Sequence, residues 1–288
     1  MTKIMLAKPL IEDKLRSLSD QCQKLAQKGL KPKLEVIIVG ELPASVLYVK
    51  NKRRLCKKVG ADFSLVKLPE SVSKEDFLSA VKRMNEDDSV TGCFVQLPVP
   101  LHLRDINITE LINPTKDVDG FHSKNIIATY NNRHGLVSCT PKGIIELLNF
   151  YGHNVEGKNI TIIGRGFIVG KPLSLLLQNL NATVSLCHLK TKDIRLYTKM
   201  SDIIIIAIGH AKFLDSSFLS ENKNQIIVDV GINKDSDGNL CGDTNFEEIK
   251  DKVQAITPVP GGVGPMTVYS LINNLILSTK SILEERNS

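Results

Sequence analysis

The chain has 288 residues, 42% apolar and 24% charged, enough for one large domain or two ordinary ones, each with its own core. Lysine and arginine exceed aspartate and glutamate by 37 to 31, which favours anionic ligands; with 5% aromatic residues and no long basic tract, a nucleic-acid groove is not expected. The apolar run from Ile203 to Ile208 is far too short to cross a bilayer and the N-terminal stretch has no sustained apolar region, so the expectation is a cytoplasmic protein without membrane span or secretory signal.

In chain order, an amphipathic helix is predicted over 9–28 and a strand over 34–39. A helix over 43–59 leads to a strand over 63–68. The segment Ser73-Lys74-Glu75-Asp76 resembles a capping box opening a helix over 73–85, and 92–96 reads as a strand. Further strands are predicted over 160–163, 183–187, 203–207 and 226–230. Val/Ile-rich strands without polar alternation, separated by helices, predict an α/β fold with parallel sheets covered on both faces. A boundary falls between 120 and 140, where NNRHGLVSCTPKG is rich in turn formers. TPVPGGVGPMT (257–267) is a second break, before a final helix over 267–284. The six cysteines, Cys22, Cys56, Cys93, Cys139, Cys187 and Cys241, show no CxxC pair and no metal-like spacing; they are expected as reduced thiols, with no metal site.

The stretch TIIGRGFIVGKP (161–172) follows a predicted strand and opens a helix predicted from about Ile168. In that βαβ setting Gly164 can take the tight turn, Gly166 can let backbone approach a pyrophosphate, and Gly170 can let helix and strand pack closely. The same spacing also fits a tight turn with no ligand. NAD sites usually carry an acidic residue about 20 residues on, at the end of the next strand. Here that place reads Cys187-His188-Leu189-Lys190-Thr191-Lys192, without an acid. Arg165, Lys190 or Lys192 would attract a 2′-phosphate, so NADP is favoured over NAD.

A second chemical stretch is ASVLYVKNKRRLCKK (44–58). On a helix Tyr48 and Lys52 are four apart and share a face, so a ring can stack on a flat substrate while an amine reaches its reactive atom. Lys50, Arg53, Arg54, Lys57 and Lys58 crowd further cations around Lys52. Crowding and burial would together lower a lysine pKa, as a base requires, although the run also reads as a solvated basic face.

PASVLYVKNK (43–52), VQLPVP (95–100), KDVDGFH (116–122), CTPKG (139–143), GRGFIVGKP (164–172), VDVGIN (228–233) and TPVPGGVGPMT (257–267) occur in this order. Together they resemble the bifunctional methylenetetrahydrofolate dehydrogenase/methenyltetrahydrofolate cyclohydrolase family over nearly the whole chain. The resemblance implies two α/β domains with a cleft between them: a folate-binding catalytic domain over 1–138 completed by the C-terminal helix, 266–288, and a Rossmann-like NADP domain over 139–265. It implies oxidation of 5,10-methylenetetrahydrofolate by NADP, hydrolysis of the methenyl product to 10-formyltetrahydrofolate, and a homodimer acting on tetrahydrofolate derivatives, polyglutamylated forms included. Lys52 falls where the family places its catalytic lysine, Gln96 on the glutamine that orients it, Tyr48 against the folate ring and Asp119 on the pterin-binding aspartate. Without the resemblance, Asp117-Val118-Asp119-Gly120 reads as an Asx-type turn. Pro260, Gly261, Gly262 and Val263 would bind substrate. Gly164, Arg165, Gly166, Ile168, Gly170, His188, Lys190 and Ile232 would bind the cofactor.

The chain departs from the family pattern at Gly166 and Leu189, where serines are usual, and at Ser138 and Ala211, where prolines are usual. The segment NIIATY (125–130) lacks the family's usual glycine. The competing expectations are a dehydrogenase-only relative, using NAD, and a nucleotide-binding protein without turnover.

Overall fold

The structure, a computed structural model, describes residues 1–287, the side chain of Ala44 excepted. In chain order, β1 (Lys3–Ile4) and α1 (Ala7–Gln27) precede β2 (Lys33–Val39), α2 (Pro43–Val59), β3 (Asp62–Leu68), α3 (Lys74–Glu86) and β4 (Gly92–Val95). The short helices α4 (Ile108–Leu111) and α5 (Ser123–Tyr130) and the longer α6 (Cys139–Phe150) follow. Then come β5 (Asn159–Ile163), α7 (Gly170–Asn179), β6 (Thr183–Cys187), α8 (Arg195–Thr198), β7 (Ile203–Ile206) and β8 (Ile226–Asp229). A hairpin of β9 (Asn233–Lys234) and β10 (Leu240–Cys241), then α9 (Phe246–Ile249) and β11 (Ala255–Ile256), leads to α10 (Val263–Arg286).

The chain divides into two compact units. One, unit I, holds Asp13–Cys139 and the chain from Val268 onward; the other, unit II, holds Met1–Glu12 and Thr140–Thr267. The first twelve residues pack with unit II, apart from the compact unit that holds most of the domain expected over 1–138. They join unit II because β1 pairs in parallel with β11, Lys3 opposite Ala255 and Ile4 opposite Ile256. A two-residue strand carries no periodicity, so this pairing leaves no mark in the sequence.

Unit I is built on a parallel three-stranded sheet in the order β3-β2-β4. Ile37 and Val39 of β2, with Cys93 and Val95 of β4, pack against Phe77, Val81 and Met84 of α3. Pro43 sits in the first turn of α2, where a missing N–H costs nothing, and Gly60 closes that helix in the left-handed region at φ 81°. Ser73 caps α3 by accepting from Asp76 N at 3.0 Å. The reciprocal half of a capping box is missing. The shorter aspartate accepts from Ser73 Oγ instead, at 2.9 Å, so Ser73 stands outside the helix expected from 73. At the other end, the buried Lys116 ammonium donates to Asn85 O (2.6 Å) and Asp87 O (2.9 Å), satisfying carbonyls that the end of α3 leaves open.

Unit II carries a six-stranded sheet in the order β1-β11-β8-β7-β5-β6, parallel throughout. Alternate residues of β7 serve different cores: Ile203 and Ile205 join Leu173, Leu177 and Ile162 on one face, Ile204 and Ile206 join Leu214, Ile249 and Val253 on the other. This two-sided burial is why the strand is an unbroken run of isoleucines.

Strand ends fall one residue short of expectation at Val95, Ile206 and Asp229, and α7 begins at Gly170 rather than near Ile168. The C-terminal helix starts at Val263, four residues before the expected 267. Gly264 and Pro265 read as loop punctuation, but a proline within the first turn removes no hydrogen bond and is compatible with a helix start.

Candidate active site

Lys52 lies on the buried stripe of α2, in register with Ser45, Val49, Cys56 and Val59, and is 6% exposed. Its Nζ donates to Gln96 Oε1 at 3.1 Å and stands 3.8 Å from the centroid of the Phe94 ring. Phe94 and Gln96 are two residues apart on β4 and its continuation, so both side chains leave the same face of the sheet. The intervening Val95 and the preceding Cys93 turn into the core beneath α3. The Gln96 amide is oriented by its other end, because Nε2 donates to Leu97 O at 2.9 Å and so leaves the oxygen toward Lys52.

Burial holds the Lys52 ammonium below its usual range, opposed by Asp119, Cys139 and Cys56. The chief cause is burial and not the expected crowding of cations. Lys50, Arg53, Arg54, Lys57 and Lys58 are all exposed on the same helix, where water screens them. Tyr48, one turn before Lys52, is half-buried, and burial raises its phenol pKa.

The two aspartates of KDVDG separate into distinct jobs. The buried Asp117 carboxylate accepts from Gly120 N (3.2 Å), His122 N (2.8 Å) and Asn125 Nδ2 (2.9 Å), so the Asx-type turn belongs to it. Asp119 is half-buried, and among the described residues its carboxylate accepts no hydrogen bond. Burial pushes its pKa up, while Lys52 pulls it down. The loop carrying Asp119 is held from behind by Asn274 of α10, buried completely, whose Nδ2 donates to Val118 O (2.9 Å) and Val137 O (2.7 Å). Lys52, Gln96 and Asp119 are thus brought together in unit I. Phe94 and Asn274, which the sequence reading did not single out, and Asp117, read there only as part of a turn, surround them.

In unit II the glycine loop leaves the carboxyl end of β5, the strand between β6 and β7 where the order of the sheet reverses. Ligands of open α/β sheets bind outside such a switch point. Gly164 adopts φ 114°, and a Cβ there would stand 2.3 Å from Ala207 O. A Cβ on Gly170 would stand 1.9 Å from Gly164 O, whereas one on Gly166 would meet nothing within 4 Å. The loop is therefore closed against protein at Gly164 and Gly170 and open at Gly166, a cradle in front of the start of α7, where a helix N-terminus can receive an anion.

Arg165 and Ile168 are exposed beside the cradle. His188 N donates to Thr191 Oγ1 at 3.0 Å and its Nδ1 accepts from Lys190 N at 3.1 Å, a turn that rims a concavity of about 480 Å³ at the end of β6. Arg195 is committed to Asp193 at 2.9 Å, but among the described residues Arg165, Lys190 and Lys192 enter no ion pair. Ile232 is half-exposed after β8. Pro260, Gly261, Gly262 and Val263 also lie in unit II, at the entry to α10, apart in sequence and in unit from Lys52, Gln96 and Asp119.

A further group in unit II was not anticipated. The Asp243 carboxylate accepts from Ile208 N (2.7 Å), Gly209 N (3.1 Å), His210 N (2.8 Å) and Asn233 Nδ2 (2.8 Å). It ties the loop that follows β7 to the start of β9.

A dinucleotide-type sheet with an open glycine cradle, joined to an α/β unit carrying a buried lysine, is the build of a two-domain nicotinamide-dependent enzyme. Comparison with known proteins gives the particular family. The pattern of the tetrahydrofolate dehydrogenase/cyclohydrolase catalytic domain matches residues 5–119, and that of the NAD(P)-binding domain of the same family matches residues 138–283. The chain is 42% identical over 277 residues to the bifunctional protein FolD of Bacillus cytotoxicus, covering 96% of each. Among solved structures it resembles the bifunctional FolD methylenetetrahydrofolate dehydrogenase/cyclohydrolase of Campylobacter jejuni, with TM-score 0.94, 42% identity and coverage of 98% and 99%. It also resembles the Trypanosoma brucei methylenetetrahydrofolate dehydrogenase-cyclohydrolase complexed with NADP and an inhibitor, with TM-score 0.90, 31% identity and coverage of 97% and 98%. The chain belongs to the tetrahydrofolate dehydrogenase/cyclohydrolase family.

Proposed function

We propose that this protein oxidises 5,10-methylenetetrahydrofolate to the 5,10-methenyl cation with NADP and then hydrolyses that cation to 10-formyltetrahydrofolate. NADP, when bound, supplies the hydride acceptor for the first reaction. In the second, water adds to the methenyl carbon and loses one proton, and the bond from that carbon to N5 then breaks as the remaining hydroxyl proton passes to N5, leaving the formyl group on N10.

Lys52 is the base for that proton. The observation that carries this reading is its burial with, among the described residues, one oriented hydrogen bond to Gln96 and no ion pair to a carboxylate. Burial makes the neutral amine accessible, and a neutral amine can accept from water. Gln96 positions the amine. Tyr48, on the same helix face, packs along the folate ring. The uncommitted Asp119 carboxylate accepts paired N–H groups from the aminopyrimidine edge of the pterin.

The cofactor residues are Gly164, Gly166 and Gly170 for the pyrophosphate, with Ile168, His188 and Ile232 around the remainder. Arg165 and Lys190 are free to pair with the 2′-phosphate, the feature that favours NADP in the absence of serines at 166 and 189. Pro260 to Val263 complete substrate binding. The net charge of +6 suits γ-glutamyl tails on the folate, and family resemblance supports a homodimer acting in the cytoplasm.

Lys52→Met tests the assignment. Hydrolysis of the methenyl compound by the purified variant should fall by about 10²–10⁴-fold, the usual value of a positioned base, with NADP affinity retained. Near-normal hydrolysis would remove Lys52 from the mechanism.

A further inference from the structure

The surroundings of the Lys52 amine hold one partner whose chemistry is not that of a hydrogen bond. Nζ stands 3.8 Å from the centroid of the Phe94 ring, a side chain 3% exposed. Aromatic faces carry negative quadrupole charge and attract a cation within about 6 Å, most strongly where water is excluded. Among the described residues, the charged and titratable groups acting on Lys52 are Asp119 from the loop between α4 and α5, Cys139 at the head of α6, and Cys56 one turn along α2. The Cys56 thiol, pushed up to about 12, stays neutral. Gln96 takes one N–H. Beyond that bond the buried ammonium stands against the face of the ring.

Phe94 is buried on the face of β4 that turns toward Lys52. The core under α3 is filled by its neighbours Cys93 and Val95, on the opposite face of β4.

We propose that Phe94 is a positioning residue for the hydrolytic step: the face of its ring takes up the positive charge that Lys52 gains on accepting the proton of the attacking water. This rests on the reading of Lys52 as the base. An aliphatic residue at 94 would fill the space without stabilising that charge. The ring favours the protonated amine in the transition state and in the resting enzyme alike. Removing it should therefore shift the titration of Lys52 to lower pH and also make the amine a weaker proton acceptor.

The test uses the full-length protein with Phe94 replaced by 4-fluorophenylalanine and by 3,4,5-trifluorophenylalanine, which drain the ring face stepwise at nearly constant shape, alongside Phe94→Leu. The Lys52 midpoint is read by NMR from ¹³Cε-labelled lysine, its resonance identified by its loss in Lys52→Met. The expected result is a midpoint that falls with each added fluorine and by about one pH unit in Phe94→Leu. The rising limb of the hydrolysis pH profile should move by the same amount. The plateau kcat should fall while KM for the methenyl compound holds within about twofold. A midpoint that stays fixed across the fluorine series overturns the role of Phe94. A midpoint that moves while the hydrolysis profile does not overturns the reading of Lys52 as the base, and the proposal with it.

Discussion

The glycine cradle makes a prediction in which two neighbouring glycines behave differently. In Gly170→Ala the new Cβ would lie 1.9 Å from Gly164 O, 2.8 Å from Gly164 C and 3.0 Å from Arg165 Cα. All three are backbone atoms and cannot rotate away. Ordinary contact needs roughly 3.5 Å, so loop or helix must yield by more than about 1 Å. The loop has no room to retreat, because Gly164 is itself packed on the Ala207 carbonyl. Overpacking of this kind costs about 1–3 kcal/mol. The displaced amides would also lose alignment with the cofactor phosphates, and one charge-assisted hydrogen bond of about 1.5–3 kcal/mol corresponds to a loss of affinity of roughly 10–150-fold. Gly166→Ala is the contrast. Its Cβ meets no protein atom within 4 Å, so stability should stay within about 0.5 kcal/mol while NADP affinity falls, since the methyl group enters the space assigned to phosphate. Urea denaturation and NADP titration read the two quantities separately. Hydrolysis of the methenyl compound, which consumes no NADP, serves as the internal control and should change by less than about twofold in both variants. A Gly170→Ala protein with the parent's urea midpoint and NADP affinity would refute the argument, as would equal destabilisation by the two substitutions.

Two buried carboxylates of unit II give further expectations. Asp243→Asn turns an amide NH₂ toward two of the four donors that the carboxylate now satisfies. It should cost about 2–5 kcal/mol in urea denaturation and weaken NADP binding, with hydrolysis less affected. Asp229 is buried, and its pKa is raised to about 6, chiefly by that burial. A carboxyl that holds its proton more tightly when folded stabilises the fold at low pH and loses that contribution as pH rises. Relative to Asp229→Asn, the parent's unfolding free energy should therefore fall by roughly 3 kcal/mol between about pH 4 and pH 6 and stay level above. A difference that grows with pH over that window would contradict the assignment of burial as the cause.

Much of the site was written locally. Lys52 occupies a position in the Ser45-Val49-Cys56-Val59 stripe that helix geometry turns inward, and a lysine on such a stripe is a signal independent of any family. Composition pointed instead to a crowd of cations, which the fold leaves in water. The Asx-type turn in KDVDG was legible, but not which aspartate makes it. That depends on His122 and Asn125 folding back onto Asp117 and leaving Asp119 uncommitted.

The sequence alone determined the alternation of strands and helices, because burial on both faces demands unbroken Val and Ile runs such as Ile203–Ile206. It also determined the glycine loop, because only residues lacking a Cβ fit against Ala207 O and Gly164 O. Tertiary structure decided the rest: the pairing of β1 with β11 that draws the N-terminus into unit II, and the use of Asn274, 156 residues distant, to brace the Asp119 loop. It also set the ring of Phe94 over the Lys52 amine. These contacts depend on where distant segments meet, and a strand's period of two shows which residues share a face without showing what that face will touch.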